Sequence, residues 1–440
     1  MSADRPRVLM AAPPFFSHFR PMRSLGRALA ERGADVIVAT DASFRDEVES
    51  VGLTFRSLRL NRNANRGTAR LTHQGDEEHR RLEEFLEATR RGAVDALIVQ
   101  SRHRRADMLP DPDGLADDLE ALSGEESPDL WVVDQLSYGA TLALRGMGAP
   151  FATFCAPHPS AIPEAGRRYG VPRSWPSSIA VDPPALEELR DAAENTARFF
   201  TREFNRILTG RYRADPVDDA FRVCSGDAVV YNYPDLGTEA TVPTGPRRLF
   251  AGHFVEPQAL PPEWWDWARG DGPAYLIVLG TFLASRTDVL EALIRGVSRR
   301  HPDARIAVGA GDGVDALKDL VRPGLRIEPF VPQRALLPHV DAVFHHGGVS
   351  SFTETLHAGR PAVVLPFSSD QFDVASDVER RSLGAVLNPN SLVPEDVARA
   401  LDHLESPTIR RSVAEVSDGM KRRGPDWAAG ELIESFEEAR

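Results

Sequence analysis

Cysteine is nearly missing from this chain: two residues in 440, Cys155 and Cys224, with no Cys-x-x-Cys pair. That excludes a disulfide framework and a cysteine-based zinc site, and it fits a reducing cytoplasm. No apolar run reaches the roughly 18 residues a membrane helix requires, so no spanning segment is expected. Met1–Arg7 is polar and lacks the apolar core of a secretory leader. Positive charge is short and scattered: 52 Lys and Arg against 65 Asp and Glu, a net charge of −13. The densest basic runs, residues 102–105 and 421–423, read as solvated surface, which argues against a nucleic-acid or anionic-membrane partner. No His, Cys and carboxylate cluster has metal-ligand spacing, and no metal is expected. Asp111-Pro112-Asp113 is a literal Asp-x-Asp, but it sits in a Pro-rich polar stretch, not after a strand. Gly309-Ala310-Gly311-Asp312-Gly313 has valine at 314, where a dinucleotide fingerprint needs glycine, so a Rossmann-type oxidoreductase is excluded.

What is present is a strand-and-helix alternation, twice over. Residues 7–12 form an apolar run ending at Pro13-Pro14; helical spacing follows from Pro21 to Arg32, closed by Gly33; residues 35–40 are apolar again. This is a βαβ unit. The pattern recurs at 130–134, 137–147 and 150–154. Residues 76–97 and 184–209 read as charged helices, whereas 107–124 has no clear assignment. Residues 236–273 hold six prolines and little periodicity, and read as a linker. A second series follows, with strands at 275–280, 305–309, 342–344 and 361–365. The expected fold class is α/β with two Rossmann-like domains facing across a cleft. The expected divisions are 1–235, a linker at 236–273, a second domain at 274–420, and a C-terminal helix at 421–440 that packs back on the first domain. Ligands of such folds lie at strand carboxyl ends.

The most informative segment runs from Phe330 to Gln371. At its centre a strand enters His346-Gly347-Gly348-Val349-Ser350-Ser351 and then a helix. Such a turn points free backbone N–H groups and the positive end of a helix dipole at one place. Glycines permit close approach, the serines add donors, and His346 donates or carries positive charge. The chemistry suits a diphosphate.

Phe330-Val331-Pro332-Gln333, then His346-x-Gly348-x-Ser350-Ser351-x-x-Glu354, then Pro366-x-x-x-Asp370-Gln371 resembles the donor-binding signature of the nucleotide-sugar glycosyltransferase superfamily of the GT-B fold. That superfamily includes plant secondary-metabolite and bacterial antibiotic or macrolide enzymes. The resemblance implies an inverting, metal-independent hexose transfer to a hydroxyl of a small natural product. Phe330 would stack on the nucleobase beside Val331, and Gln333 would approach the base or ribose. His346, Gly348, Ser350 and Ser351 would hold the diphosphate, and Gly280-Thr281 resembles a further phosphate-contact loop. Glu354 would accept from ribose hydroxyls, which favours a UDP-sugar over a dTDP-sugar. Asp370 and Gln371 would bind hydroxyls of the transferred sugar. A dTDP-deoxysugar transferase and a sugar-nucleotide epimerase are the alternatives.

Phe15-Phe16-Ser17-His18-Phe19-Arg20-Pro21 follows the first strand and resembles the family's Gly-His-x-x-Pro, with Ser17 in place of glycine. His18 would be the general base, because an attacking hydroxyl must lose its proton and an imidazole accepts one near neutral pH. Asp134, at the end of a strand, would fix the tautomer of His18. Phe15, Phe16 and Ser17 are the candidate acceptor-facing residues.

Overall fold

The computed structural model describes residues 5–60, 76–237 and 245–439. Seven strands build the first sheet: β1 (Arg7–Ala11), β2 (Asp35–Thr40), β3 (Thr54–Ser57), β4 (Leu130–Asp134), β5 (Phe151–Cys155), β6 (Ala228–Tyr231) and β7 (Arg247–Phe250). Their order is β3-β2-β1-β4-β5-β6-β7, parallel throughout. Six strands build the second: β8 (Ala274–Val278), β9 (Arg305–Gly309), β10 (Leu325–Glu328), β11 (Ala342–His345), β12 (Ala362–Val364) and β13 (Gly384–Val386). Their order is β10-β9-β8-β11-β12-β13, again all parallel. Helices cover both faces of such sheets, so the central strands are apolar without alternation. Every residue of β4, β5 and β8 is buried.

Strand order reverses beside β1 in one sheet and beside β8 in the other. At each reversal the connections leave in opposite directions and open a crevice at the strand carboxyl ends. β1 lies against β4 with Ala11 opposite Val133, and β8 lies against β11 with Val278 opposite His345. The segments leaving these four strands carry His18, Asp134, Gly280 and His346. Two distant stretches of sequence are thereby placed at one crevice on each lobe.

Several segments differ from the sequence reading, the first helix among them, which begins at Phe16 and not at Pro21. Residues 247–250, inside the expected linker, are the seventh strand; Arg247 and Arg248 are exposed and only Leu249 and Phe250 are buried, which hides the strand pattern. The helix read across residues 76–97 breaks at Gly92 into Asp76–Arg91 and Ala93–Asp107. Residues 107–124, unassigned from sequence, hold the helix Pro112–Glu126, whose Leu115, Ala116, Leu119 and Leu122 are buried at helical spacing. Asp111 caps it by accepting the Gly114 N–H at 3.1 Å, and Asp113 pairs with Arg206 at 3.4 Å. The Asp-x-Asp is thus the start of a helix.

The C-terminal helix Pro425–Ala439 lies against the first helix, Phe16–Glu31. Ala428, Ala429 and Leu432 enter the core of the first sheet, and Arg32 pairs with Asp426 at 3.0 Å. Other polar contacts cross between the lobes. Buried Arg286 and exposed Asn390 both donate to the Thr89 carbonyl, at 3.4 and 2.9 Å. Among the described residues no helix is long and apolar enough to cross a membrane.

Candidate active site

The lobes enclose a cleft of about 870 Å³. On the first lobe, β1 runs out through Pro13-Pro14 and the helix begins at Phe16. Ser17 lies in the first helical turn and is not among the residues with positive φ, so this turn forms without glycine. His18 reaches across to β4. Its Nδ1 is 3.1 and 3.0 Å from the two carboxylate oxygens of Asp134, which is fully buried and also accepts the Leu136 N–H at 2.9 Å. This contact assigns the proton of neutral His18 to Nδ1 and leaves Nε2 as the free base nitrogen. Burial pulls the imidazole pKa down, but the charge and hydrogen bond of Asp134, with the charge of Asp370, raise it above 6.5 overall.

Of the aromatic neighbours, Phe15 stands edge-on to His18 at 6.4 Å and lines a smaller cavity beside the cleft. Ser17 lines the main cleft. Phe16 does neither. It packs on Phe44 at 5.4 Å, three residues from Phe19, which packs on the same ring at 4.7 Å. Helical spacing puts 16 and 19 on one face, turned to the core and away from His18. Phe16 is therefore not an acceptor-facing residue.

On the second lobe, β11 delivers His346 to the cleft. Gly280 has φ +76°, and a Cβ there would lie 2.7 Å from His346 Cε1; a Cβ on Gly348 would lie 2.4 Å from His346 Nε2. The ring is held between two glycine backbones. Burial pushes its pKa down to about 4 despite Asp370. His346 is thus a neutral ring near pH 7, so of the two roles read for it, donor or cation, the donor remains: a cation out of contact with water loses its hydration. Its Nδ1 has no hydrogen-bond partner. The helix Val349–His357 begins here without a side-chain cap, so its leading N–H groups face the cleft together with Ser350 and Ser351. Gly280 lines the cleft; the Thr281 side chain lies outside the described residues.

Glu354, on the same helix, accepts from Gln333 Nε2 at 2.7 Å, and Gln333 also reaches Ser351 Oγ at 3.4 Å. Burial lifts the Glu354 pKa to about 7, against the pull of Arg334, Gln333 and Arg20. Val331 lines the cleft, whereas Phe330 is 58% exposed and stands outside the cleft wall. Asp370 and Gln371 both face the cleft. Gln371 is committed locally, its Oε1 accepting the N–H groups of Phe367 and Ser368 at 2.9 and 3.2 Å. Asp370 accepts the backbone N–H of His158 at 2.8 Å, a contact from the other lobe.

Several cleft residues carry no motif and went unread. Arg20 and Arg334 bring cations to the Glu354 end, and Gln100 accepts the Ser369 N–H at 3.1 Å. Arg20 had a weak signal, two positions after His18 on the same helix. Gln100 had none, because only the packing of the lobes brings it to Ser369.

Two parallel sheets of matching strand order, joined across a cleft with a His–Asp pair on one wall and an uncapped Gly-rich helix start on the other, define a GT-B protein. Residues 301–434 match the family described as Erythromycin biosynthesis protein CIII-like, C-terminal domain. The chain is 25% identical to 4'-demethylrebeccamycin synthase of Lentzea aerocolonigenes, over 98% of this chain and 99% of that protein. It is also 25% identical to demethyllactenocin mycarosyltransferase of Streptomyces fradiae, over 96% and 85%. Among solved structures, the glycotransferase of kitacinnamycin superposes with a TM-score of 0.68 at 20% identity, covering 98% of this chain and 99% of that one. Glycosyltransferase VinC in complex with dTDP superposes with a TM-score of 0.67 at 19% identity, covering 98% and 100%. These similarities support the nucleotide-sugar glycosyltransferase superfamily of the GT-B fold, which the sequence resembles.

Proposed function

We propose that this enzyme moves a hexose from a nucleoside diphosphate sugar to a hydroxyl of a small natural product, by single displacement with inversion. The first lobe takes the acceptor and the second takes the donor. The observation that carries this reading is the His18–Asp134 pair opposite the His346–Ser351 turn, with Asp370 between them in one cleft. The acceptor oxygen attacks the anomeric carbon, the bond from that carbon to the diphosphate breaks, and the nucleoside diphosphate leaves with the electron pair. His18 Nε2 takes the hydroxyl proton, and Asp134 stabilises the imidazolium that results. The helix start and the serine hydroxyls stabilise charge growing on the leaving group. These are anion-binding donors, and Arg20 and Arg334 supply the positive charge that His346 does not. Incubation with an α-linked sugar nucleotide in EDTA is expected to yield a β-glycoside at an undiminished rate, read by anomeric proton couplings. An α-product or chelator inactivation would count against the reading.

UDP is the favoured nucleotide. Gln333 occupies one lone pair of Glu354, and the remaining ones suit a vicinal diol. UDP is expected to bind roughly two- to tenfold tighter than dTDP, the worth of one neutral hydrogen bond, in calorimetric titrations. Equal or reversed affinities support the second reading, a dTDP-deoxysugar donor. That reading draws on the mycarosyltransferase relative and on the VinC structure with dTDP. An epimerase would leave the smaller cavity beside His18 without an occupant.

A further inference from the structure

The smaller cavity, about 310 Å³, opens beside His18 and Asp370. Phe15, Met108, Leu136, Val171 and Pro172 give it an apolar lining, and Tyr169 and Arg104 form one side. The Arg104 guanidinium carbon lies 4.4 Å from the centre of the Tyr169 ring. Its neighbours Arg102 and His103 both pair with Glu84, at 3.7 and 2.9 Å. Arg104 turns the other way, and among the described residues no carboxylate pairs with it. Gly170, with φ +85°, makes room for it: a Cβ there would lie 2.7 Å from Arg104 Nη1.

Two carboxylates also border the cavity, and both have donors. Asp373 accepts from Ser160 Oγ at 2.7 Å and from the Arg173 N–H at 2.8 Å. Asp370 accepts the His158 N–H at 2.8 Å. Among the described residues, the charged group of this cavity left without an opposite charge is therefore a cation, Arg104. A planar guanidinium resting on an aromatic face is pre-oriented for a carboxylate. A volume of 310 Å³ is near the lower end of the roughly 300–1,000 Å³ seen for ligand pockets, which suits one or two rings.

We propose that this cavity seats the acceptor, and that the acceptor is a compact apolar hydroxy acid, its hydroxyl at His18 and its carboxylate on Arg104. The inference rests on the transferase reading above and names its substrate class. Three probes test it: 4-hydroxycinnamate, its methyl ester, and tyramine, each with a UDP- or dTDP-hexose. The acid is expected to exceed the ester and the amine by about tenfold or more in kcat/KM, as a charge-assisted pair implies, with most of the difference in KM. Arg104→Gln should erase the preference, and Arg104→Lys should keep part of it. Gly170→Ala, which pushes Arg104 off Tyr169 but leaves it in the chain, should weaken the preference too. Thermal melts establish that each variant is folded.

Equal use of ester or amine by the native enzyme, a preference that survives Arg104→Gln, or no transfer to any probe while nucleotide still binds overturns the acceptor class alone. Absence of nucleoside diphosphate binding overturns the transferase reading beneath it.

Discussion

Replacing His18 with alanine is expected to lower kcat by about 10²–10⁴-fold, the usual contribution of a positioned general base, while nucleoside diphosphate affinity is kept. The reason is spatial. His18 belongs to the first lobe and is held by Asp134 on an adjacent strand, whereas the proposed diphosphate turn belongs to the second lobe. Asp134→Asn should cost nearly as much, because an amide N–H facing Nδ1 favours the tautomer with its proton on the wrong nitrogen. The pH dependence carries a sign that separates the two residues. In the native enzyme the His18 pKa is raised above 6.5, so kcat should fall with acidification through a midpoint above that value. Removing the Asp134 charge leaves burial as the leading influence, and the midpoint should move to lower pH. Single-turnover rates across pH, alongside calorimetry with UDP, are the measurements. Near-native turnover in His18→Ala would sink the base assignment.

Gly348→Ala is expected to cost roughly 10–100-fold in donor affinity, in line with about 1–3 kcal/mol for overpacking a filled site. Gly348 has φ −62° and ψ +135°, which alanine adopts readily, so the backbone is not strained. The cost arises from the new Cβ, placed 2.4 Å from His346 Nε2. The ring also abuts Gly280. His346 or the start of the helix must shift, and both belong to the proposed diphosphate cradle. Calorimetry with UDP reads the loss, and an unchanged melting temperature would place it in the site. Native affinity in a folded Gly348→Ala enzyme would mean that the phosphates are held elsewhere.

The two observations that bear most on chemistry were visible in sequence to different degrees. The Gly-x-Ser-Ser turn was legible because its parts are adjacent: an apolar strand, glycines and a helix start within about ten residues imply their own geometry. The His18–Asp134 pair was legible only as two strand ends, 116 residues apart; its hydrogen bond depends on β1 and β4 being neighbours. Whether His346 would act as donor or cation stayed open in the sequence because burial decides it, and burial is a property of the surroundings. Phe16 was misread because the helix begins at Phe16, five residues before the stretch read as helical, which turns that ring toward Phe44 on the face it shares with Phe19.

Sequence alone determined the α/β class, the repeated βαβ pattern and the Gly-rich strand-to-helix turn, because each follows from hydrophobic period and local backbone chemistry over short spans. Tertiary structure decided what lies opposite what. Asp370 meets the His158 backbone from the other lobe, Gln100 meets Ser369, and Arg104 ends over Tyr169 with its charge unmatched among the described residues. Strand order and lobe packing set those meetings, and no periodicity along the chain encodes the distance between residues so far apart in it.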